Sequence, residues 1–458
     1  MGRHRKAAER MSQPVRATAA ASRDWDPANW QELGWPDYRF LGFGAVLVFW
    51  SGIGQTYLIG FFGAELRAAF SLSDGQYGQI YGAATFASGI LILWSGGLVD
   101  RMPLRRIGTL VIIGVIVAGL TMAATPHWVL LLLSFFLLRQ FGQALMGHVA
   151  NAAMGRYYDR FKGRATGLLG VAYAMGELVL PLLASYLIGQ LALPPVLAAF
   201  EVDIGWRGAF LVMTVLLGLS VLPALPILLR DMPAREQALA QRLSADEASE
   251  RVSPGSRRRQ WTRGEVLRDP RFWLIIPMII AQSGVFTGLF FHIVSVLEEK
   301  GWDPALWPYY WGFYPIAAFA LSPVAGWLVD RYTATRLFPL SLAPFGLGLI
   351  LLGAMTPFVA MILCLLLLAV SVALYHTTFN TLWPELYGVR HLGKVRTLST
   401  TVMVFISASG PLVMGLLKDW GVSYGIQLWS SGIFIFAACI VAWLALRSTD
   451  VHPLQKSS

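Results

Sequence analysis

The sequence contains very little cysteine: Cys364 and Cys439 are its two thiols in 458 residues. Both lie within apolar stretches, so they are expected to be small packing residues rather than parts of a disulfide framework or a metal site. A Walker-type GxxxxGK[ST] phosphate loop is also absent from the sequence, so nothing indicates ATP hydrolysis. No nucleophile with an adjacent base stands out, and the sequence therefore predicts neither an enzyme nor a bound cofactor.

A cleavable leader is not expected either. The first 39 residues are basic but lack a short apolar core followed by a small-residue cleavage site. Apolar residues make up 56% of the sequence, far more than one soluble core requires. Twelve apolar stretches between Phe40 and Leu446 approach the ~20 residues that cross a bilayer as a helix. Each span must satisfy its own backbone hydrogen bonds, which predicts an all-α integral membrane protein.

The formal net charge of +10 could suggest a nucleic-acid partner, but the distribution of the basic residues argues against one. Of 36 Lys and Arg residues, Arg139 lies inside a span and four lie in loops on the side opposite the termini, namely Arg67, Arg207, Lys300 and Lys418. The remaining 31 (36 − 5) lie on the side of both termini. The positive-inside rule then predicts cytoplasmic termini and an inner plasma membrane location.

Two halves of the sequence repeat with an offset of 230 residues. GGLVDR at 96–101 returns as GWLVDR at 326–331. The pairs Arg106/Arg336, Tyr157/Tyr387, Gly163/Gly393 and Pro181/Pro411 keep the same offset. Internal repeats in membrane proteins are typical of transporters, whose substrate path lies between two related bundles near mid-membrane.

This pattern predicts five regions. They are a basic cytoplasmic segment (1–39), a six-helix bundle (40–230), a cytoplasmic linker (231–270), a second six-helix bundle (271–446) and a cytoplasmic tail (447–458). Within the linker, residues 234–251 are rich in Ala, Glu, Gln and Arg, which allows a surface helix, although a solvated connector is favoured.

The repeated segment resembles the signature of the major facilitator superfamily of secondary transporters, and the likeness extends from Phe40 to Leu446. In that family, a Gly followed by Asp-Arg and further basic residues joins the second and third helices and latches the cytoplasmic side of one half against the eleventh helix. The resemblance therefore implies a conformational latch made by Asp100, Arg101, Arg106, Asp330, Arg331 and Arg336.

Two full charges are expected at mid-depth, Arg139 in the fourth span and Glu177 in the fifth. A charge there costs at least ~2.5 kcal/mol on insertion scales, so each should face a partner or a wet cavity. Adjacent antiparallel helices make an Arg139–Glu177 pair plausible. Arg139 also resembles the fourth-helix arginine of the superfamily's second motif, which in proton-coupled members is linked to proton movement. A purely structural ion pair is the alternative.

The resemblance implies that the first, fourth, seventh and tenth helices line the cavity. Polar and aromatic residues at helical spacing on these helices are then candidates for contact with substrate or protons, together with an aromatic face on the eighth helix. With Arg139 and Glu177, the candidates are Gln143, Gln55, Tyr57, Gln282, Phe286, Tyr310, Tyr314, His376 and Asn380. Helix packing is the alternative role for each of them.

Together these features predict a monomeric twelve-helix transporter that moves a small organic solute by alternating access, driven by protons. The second half is loosely similar to bacterial monocarboxylate and small-solute porters, which with Arg139 gives a weak preference for a carboxylate. A proton-driven exporter of hydrophobic compounds is the main alternative, suggested by Trp50, Tyr81, Trp311 and Phe313. A transporter-shaped sensor is a further one.

Overall fold

Long α-helices dominate the computed structural model, which describes residues 25, 27, 30–158, 161–189, 202–250, 261–388 and 392–447. Within these residues the only β pairing is an isolated bridge between Ile188 and Asp203. Eleven helical stretches have the length and apolarity needed to cross a membrane. The helix Asp74–Ser95, joined to Leu98–Arg101, supplies the remaining span, so the twelve expected spans form two six-helix halves.

We number the spans 1 to 12 and call the side of the termini the inner side. The first six spans comprise these helices: span 1, Trp35–Trp50 and Thr56–Phe61; span 2, Asp74–Ser95 and Leu98–Arg101; span 3, Leu104–Ala123; span 4, Trp128–Leu137, Leu138–Met146 and Gly147–Tyr157; span 5, Lys162–Leu187; span 6, Gly205–Val221 and Leu225–Leu228.

The second half repeats this arrangement. Its spans comprise these helices: span 7, Pro270–Ile279, Ile280–Val285, Phe286–Phe291 and Ile293–Glu299; span 8, Trp307–Trp311 and Phe313–Tyr332; span 9, Ala334–Leu337, Phe338–Leu340 and Ala343–Ala354; span 10, Val359–Tyr387; span 11, Leu392–Asp419; span 12, Tyr424–Leu446. Short helices also occur at Trp30–Glu32, Gly63–Phe70, Arg263–Arg268 and Pro304–Leu306.

Three spans leave regular α-helical geometry near mid-membrane. Span 1 passes through a 3₁₀ turn at Ser51–Gly54, span 4 through a π-helix at Leu138–Met146, and span 7 through a π-helix at Ile280–Val285. When the 230-residue repeat offset is added to its residue numbers, the 3₁₀ turn of span 1 coincides with the π-helix of span 7. Such interruptions free backbone groups and are frequent at functional sites.

Glycine allows spans 1 and 4 to meet at these irregular segments. A Cβ at Gly54 would lie 2.2 Å from the carbonyl oxygen of Leu138, and a Cβ at Gly142 would lie 3.0 Å from the Cα of Gly54. Any side chain at either position would force the two backbones apart. The sequence GIGQT therefore brings the break in span 1 directly against the segment that carries Arg139.

The two halves pack through small residues along spans 2 and 11. A Cβ at Gly78 would lie 2.6 Å from the carbonyl oxygen of Pro411, and one at Gly82 would lie 3.0 Å from that of Ala408. Spans 5 and 8 also touch, where a Cβ at Gly312 would meet Leu178 at 2.7 Å. The absence of side chains at these glycines lets the halves approach closely from the outer side to mid-depth.

The start of the linker is helical, which corrects the preference for a solvated connector. The helix Met232–Glu250 begins beside span 1, where Arg235 forms a buried ion pair with Asp37. The Arg235 guanidinium also lies 4.6 Å from the Phe40 ring centroid and 5.3 Å from that of Tyr158. A buried ion pair between aromatic rings fixes this helix to the first half.

Candidate functional site

Arg139 lies at the contact between spans 1 and 4 and is 2% exposed. Its Nη1 donates to Thr56 Oγ1 at 3.1 Å and makes a long 3.5 Å contact with the carbonyl oxygen of Gly54. Its guanidinium carbon lies 5.2 Å from the centre of the Tyr81 ring. The π-helix of span 4 and the break in span 1 thus supply Arg139 with neutral partners.

The expected Arg139–Glu177 ion pair is not formed, because both side chains are described and no oxygen of Glu177 lies within 4.0 Å of the guanidinium nitrogens. Arg139 Nε, moreover, has no hydrogen-bond partner among the described residues. Spans 4 and 5 do place the two charges in the same region, but Thr56 and Tyr81 occupy the space around the guanidinium. A buried cation whose contacts are all neutral is costly to maintain.

Glu177 is buried in span 5, and Tyr173 precedes it by one helical turn, so the two side chains lie on the same face of the helix. The backbone of Glu177 also contacts the second half, because Trp311 Nε1 donates a hydrogen bond to the Glu177 carbonyl oxygen at 2.7 Å. The acidic side chain therefore lies where span 5 meets span 8. Any movement of the halves at this contact changes the surroundings of Glu177.

Aromatic rings from both halves stack around this contact. Tyr57 stacks on Trp311 with centroids 5.6 Å apart, and Trp311 lies 5.1 Å from Tyr314. Phe286 packs 6.3 Å from the same Tyr314 ring. The hydroxyl of Tyr57 is buried with no partner among the described residues. We use the name central chamber for the cluster of side chains formed by Tyr57, Arg139, Tyr173, Glu177, Trp311 and Tyr314.

Three glutamines among the sequence candidates lie on the irregular segments. Gln55 is half-buried in extended backbone between the two helices of span 1. Gln143 is half-buried on the π-helix of span 4, and Gln282 is buried on that of span 7. The Oε1 atom of Gln282 has no hydrogen-bond partner in the described part of the chain. Unpaired polar atoms at helix interruptions are suited to bind a ligand.

Two pairs of candidates are arranged differently from the expectation. Tyr310 and Tyr314 have different ring partners, because Tyr310 packs 4.5 Å from Phe358, just before span 10, whereas Tyr314 packs against Phe286 and Trp311. His376 and Asn380 are exposed in the inner half of span 10. Asn380 accepts a 2.8 Å hydrogen bond at its carbonyl oxygen from Arg396 of span 11. Neither pair joins the central chamber through a hydrogen bond or ring contact within the described residues.

Charged side chains close the outer side between the halves. Arg67 lies 3.3 Å from Asp74 in its own half and 3.4 Å from Glu298 of span 7. Asp74 also accepts from Ser295 at 2.8 Å and lies 3.5 Å from His292 Nδ1. We call these five residues the outer gate. A neighbouring contact strengthens it, in which Ser73 donates to Asp419 at 2.7 Å.

A second ion pair on the outer side lies within the second half. Lys418 donates to the Glu299 carboxylate, which also accepts from the backbone N–H of Gly425 at 3.2 Å. Partial burial by itself raises the pKa of Glu299, but the Lys418 ammonium and the N–H groups of Tyr424 and Gly425 outweigh it. The net effect holds the pKa of Glu299 below its ordinary value.

The residues expected to form the latch lie on the inner side. The side chains of Asp100 and Asp330 fall outside the described part of the chain, while their backbones belong to the inner ends of spans 2 and 8. Arg101, Arg106 and Arg336 are exposed. Arg331 is also exposed, with its guanidinium carbon 5.5 Å from the Trp327 ring. Close by, Glu385 accepts from the backbone N–H groups of Ala334 and Thr335 at 3.1 Å each.

Several residues of these sites were not identified from the sequence. Thr56 and Tyr81 contact Arg139, Tyr173 lies one helical turn before Glu177, and the outer gate contains Asp74 and Glu298. Of these, Tyr81 was named in the sequence only as an aromatic residue that suggests an exporter. Tyr173 was detectable as a hydroxyl four residues before a mid-depth carboxylate on a helix. Thr56, Tyr81 and the gate contacts join residues distant in the sequence, for which a single sequence carries no signal.

Comparisons with known proteins agree with this architecture. Residues 44–319 and 311–458 match the model of the Major Facilitator Superfamily. No curated protein sequence matches. Among solved structures, a bacterial homolog of the human lysosomal transporter Spinster, inward-facing and occupied, is similar with a TM-score of 0.63 and 16% identity, covering 90% of this chain and 97% of that one.

The D-xylose-proton symporter is similar with a TM-score of 0.67 and 13% identity, covering 91% of this chain and all of that one. At these identities the two structures show a shared fold and nothing finer. The family match, by contrast, spans both halves of the chain and includes the repeated 96–101 and 326–331 segments. This multi-pass membrane protein belongs to the Major Facilitator Superfamily of small-solute transporters.

Proposed function

We propose that this protein moves a small organic carboxylate across the inner plasma membrane by alternating access, coupled to protons. The observation that carries the proposal is Arg139, a buried guanidinium at the meeting of spans 1 and 4 whose direct contacts are neutral. A carboxylate supplies the missing charge and accepts from the unpaired Nε. Tyr57 of span 1 and Gln282 on the π-helix of span 7 provide further unpaired polar atoms.

Proton coupling is assigned to Glu177. The backbone carbonyl of Glu177 accepts from Trp311 at the contact between spans 5 and 8, so its carboxyl lies on the segment that moves when the halves separate. Neutralisation of Glu177 also removes an anion from the chamber in which a substrate carboxylate binds near Arg139. The substrate would therefore bind more readily when Glu177 is protonated than when Glu177 is charged.

The state of the structure fits one end of this cycle. The outer gate is closed by contacts across the halves, whereas His376 and Asn380 on the inner side are exposed. We interpret this arrangement as inward-facing with cytoplasmic termini. The six latch residues Asp100, Arg101, Arg106, Asp330, Arg331 and Arg336 would then engage in the opposite state, when the inner side closes. One chain contains the whole path, so a monomer suffices.

Ligand-dependent thermal stability of the purified protein tests the substrate class, because a ligand that binds the folded state raises the unfolding temperature. Acetate, lactate and succinate are compared with tetraphenylphosphonium, each on the wild-type chain and on Arg139→Gln. Stabilisation by a carboxylate that disappears in Arg139→Gln supports the proposal. Stabilisation by the hydrophobic cation alone contradicts it.

An exporter of hydrophobic compounds is the second candidate, favoured by the rings of Tyr57, Trp311, Tyr314 and Phe286 at the chamber. Of the aromatic residues that suggested it in the sequence, Tyr81 is buried beside Arg139 and Phe313 is 56% exposed, away from the chamber contacts. A sensor without flux would bind the ligand but accumulate none in proteoliposomes.

A further inference from the structure

His292 is buried at the outer end of span 7 and faces the first half. Its Nε2 lies 2.9 Å from the carbonyl oxygen of Pro411, and its Nδ1 lies 3.5 Å from Asp74 Oδ1. A carbonyl oxygen can only accept a hydrogen bond, so Nε2 must carry a hydrogen. In neutral histidine the other ring nitrogen then presents a lone pair to the Asp74 carboxylate.

A lone pair facing a carboxylate oxygen is an unfavourable contact, and a proton on Nδ1 turns it into an ion pair. Nδ1 has no other partner among the described residues. The same Oδ1 of Asp74 receives Ser295 at 2.8 Å and Arg67 at 3.3 Å, so it is already fixed in place as an acceptor. The closed outer gate is therefore complete only when a proton lies between His292 and Asp74.

The other charged groups around His292 keep this position favourable for a cation. Arg67 is matched by Glu298 as well as by Asp74. On span 12, the Tyr424 ring lies 5.8 Å from that of His292, and the Lys418 ammonium above Tyr424 is paired with Glu299. The titratable and charged groups facing the gate from the packed elements are thus Glu65, Arg67, Asp74, Tyr77, Glu298, Glu299, Lys418, Asp419 and Tyr424.

We propose that His292 and Asp74 form a proton-binding site in the outer gate, separate from the coupling site in the central chamber, and that acid on the outer side locks the gate closed. When the gate closes, Nδ1 takes a proton from water on the outer side and becomes part of an imidazolium. When the gate opens, the Asp74 contact is lost and the proton returns to the same side. This proton is not carried across the membrane.

The proposal rests on the alternating access proposed above, because it requires that the gate opens. One bound proton changes the closed-to-open ratio by at most tenfold per pH unit. We therefore expect the closed fraction to rise as the outer pH falls from about 8 to about 5.

The test measures the distance between spin labels on cysteines placed at Ala69 and Trp420, which are exposed on the outer side in different halves. The full chain is reconstituted in lipid nanodiscs, with the buried Cys364 and Cys439 replaced by Ala. His292→Gln keeps a donor for Pro411 but loses the second nitrogen, and it should flatten the pH dependence. Asp74→Asn should do the same.

Ser295→Ala is the matched control, because it removes a hydrogen bond to Asp74 but no titratable group. This variant should shift the midpoint of the pH dependence of the closed fraction and leave its slope unchanged. The proposal is overturned if the closed fraction of both His292→Gln and Asp74→Asn still changes with pH as in the wild type. It is also overturned if this pH dependence disappears in Glu177→Gln but remains in His292→Gln. A distance that stays short at every pH in every variant overturns both this proposal and alternating access.

Discussion

The outer gate and the central chamber each contain an arginine near acidic residues, but only the outer arginine is paired. Arg67 contacts Asp74 and Glu298 at 3.3 and 3.4 Å. Arg139 contacts a hydroxyl, a carbonyl oxygen and an aromatic ring, and Glu177 lies one helical turn from Tyr173 rather than against Arg139. Paired charges hold two surfaces together, whereas an unpaired buried charge leaves interaction energy available for a ligand. The comparison therefore distinguishes a surface that ion pairs hold closed from the proposed binding site.

Replacing Arg139 should have the largest effect. In Arg139→Gln, the charge-assisted hydrogen bonds to the substrate carboxylate are lost, which at about 1.5–3 kcal/mol corresponds to roughly 10–100-fold weaker binding. Binding is measured by calorimetry with the carboxylate that stabilises the wild type. Arg207→Gln removes a positive charge from the same half, on the outer surface beside Trp206, and should bind normally. Equal losses of affinity in both variants would mean that binding depends on the overall positive charge of this half and not on Arg139 itself.

Removing the Glu177 carboxyl should abolish proton coupling while leaving a site that binds. Glu177→Gln is expected to exchange labelled substrate across proteoliposomes at equilibrium but to lose most uptake driven by a pH gradient. The reason is that a permanently neutral side chain imitates the protonated state and cannot release a proton. Gradient-driven uptake at the wild-type rate would reject the coupling role. Tyr173→Phe is a useful companion, since it removes the neighbouring hydroxyl but keeps the carboxyl.

The sequence anticipated the composition of the chamber better than its contacts. Arg139, Glu177 and Tyr57 were predicted as site residues, because full charges and polar groups at mid-depth in apolar spans need a reason to be there. The pairing of Arg139 with Glu177 was wrong. Sequence spacing places two charges at similar depth, but the turn at Ser51–Gly54 brings Thr56 to the guanidinium first.

Breaking the outer gate should change the conformational equilibrium by a moderate amount. Arg67→Gln removes the ion pair with Glu298 that joins the halves, worth about 0.2–1 kcal/mol, so the open fraction should rise between about 1.4-fold and fivefold. The Ala69 and Trp420 label distance reports this directly. Substrate affinity of the inward-facing site should change little. A large loss of affinity instead would show that gate and chamber are not separable.

The inner latch should affect rate rather than binding. Asp100→Asn is expected to slow turnover several-fold with unchanged ligand-induced stabilisation, because the carboxylate would act only when the inner side closes. Asp330→Asn tests the repeated position in the second half. Transport at the wild-type rate in both variants would remove the latch from the mechanism.

The smallest effect should come from the Glu299 pair, which holds one half together rather than joining two. Because the folded-state pKa of Glu299 is lowered, its stabilising contribution is present above the unfolded pKa of about 4.3 and is lost as the pH falls through the lower folded pKa. The unfolding temperature should therefore fall on acidification below about pH 4, and less so in Glu299→Gln. Identical acid profiles would rule out this contribution.

Apolar runs of membrane-spanning length, the 230-residue repeat and the repeated Gly-Asp-Arg segment determined the twelve-span architecture and the family from sequence alone. Those properties are local or periodic, and the absence of water in the bilayer leaves the backbone few alternatives. The neutral surroundings of Arg139, the contact of Trp311 with Glu177 and the His292–Asp74 contact were decided only by tertiary structure. The Arg139–Thr56, Trp311–Glu177 and His292–Asp74 contacts join residues 83, 134 and 218 positions apart through helix breaks and close glycine contacts, and neither spacing nor composition specifies such geometry.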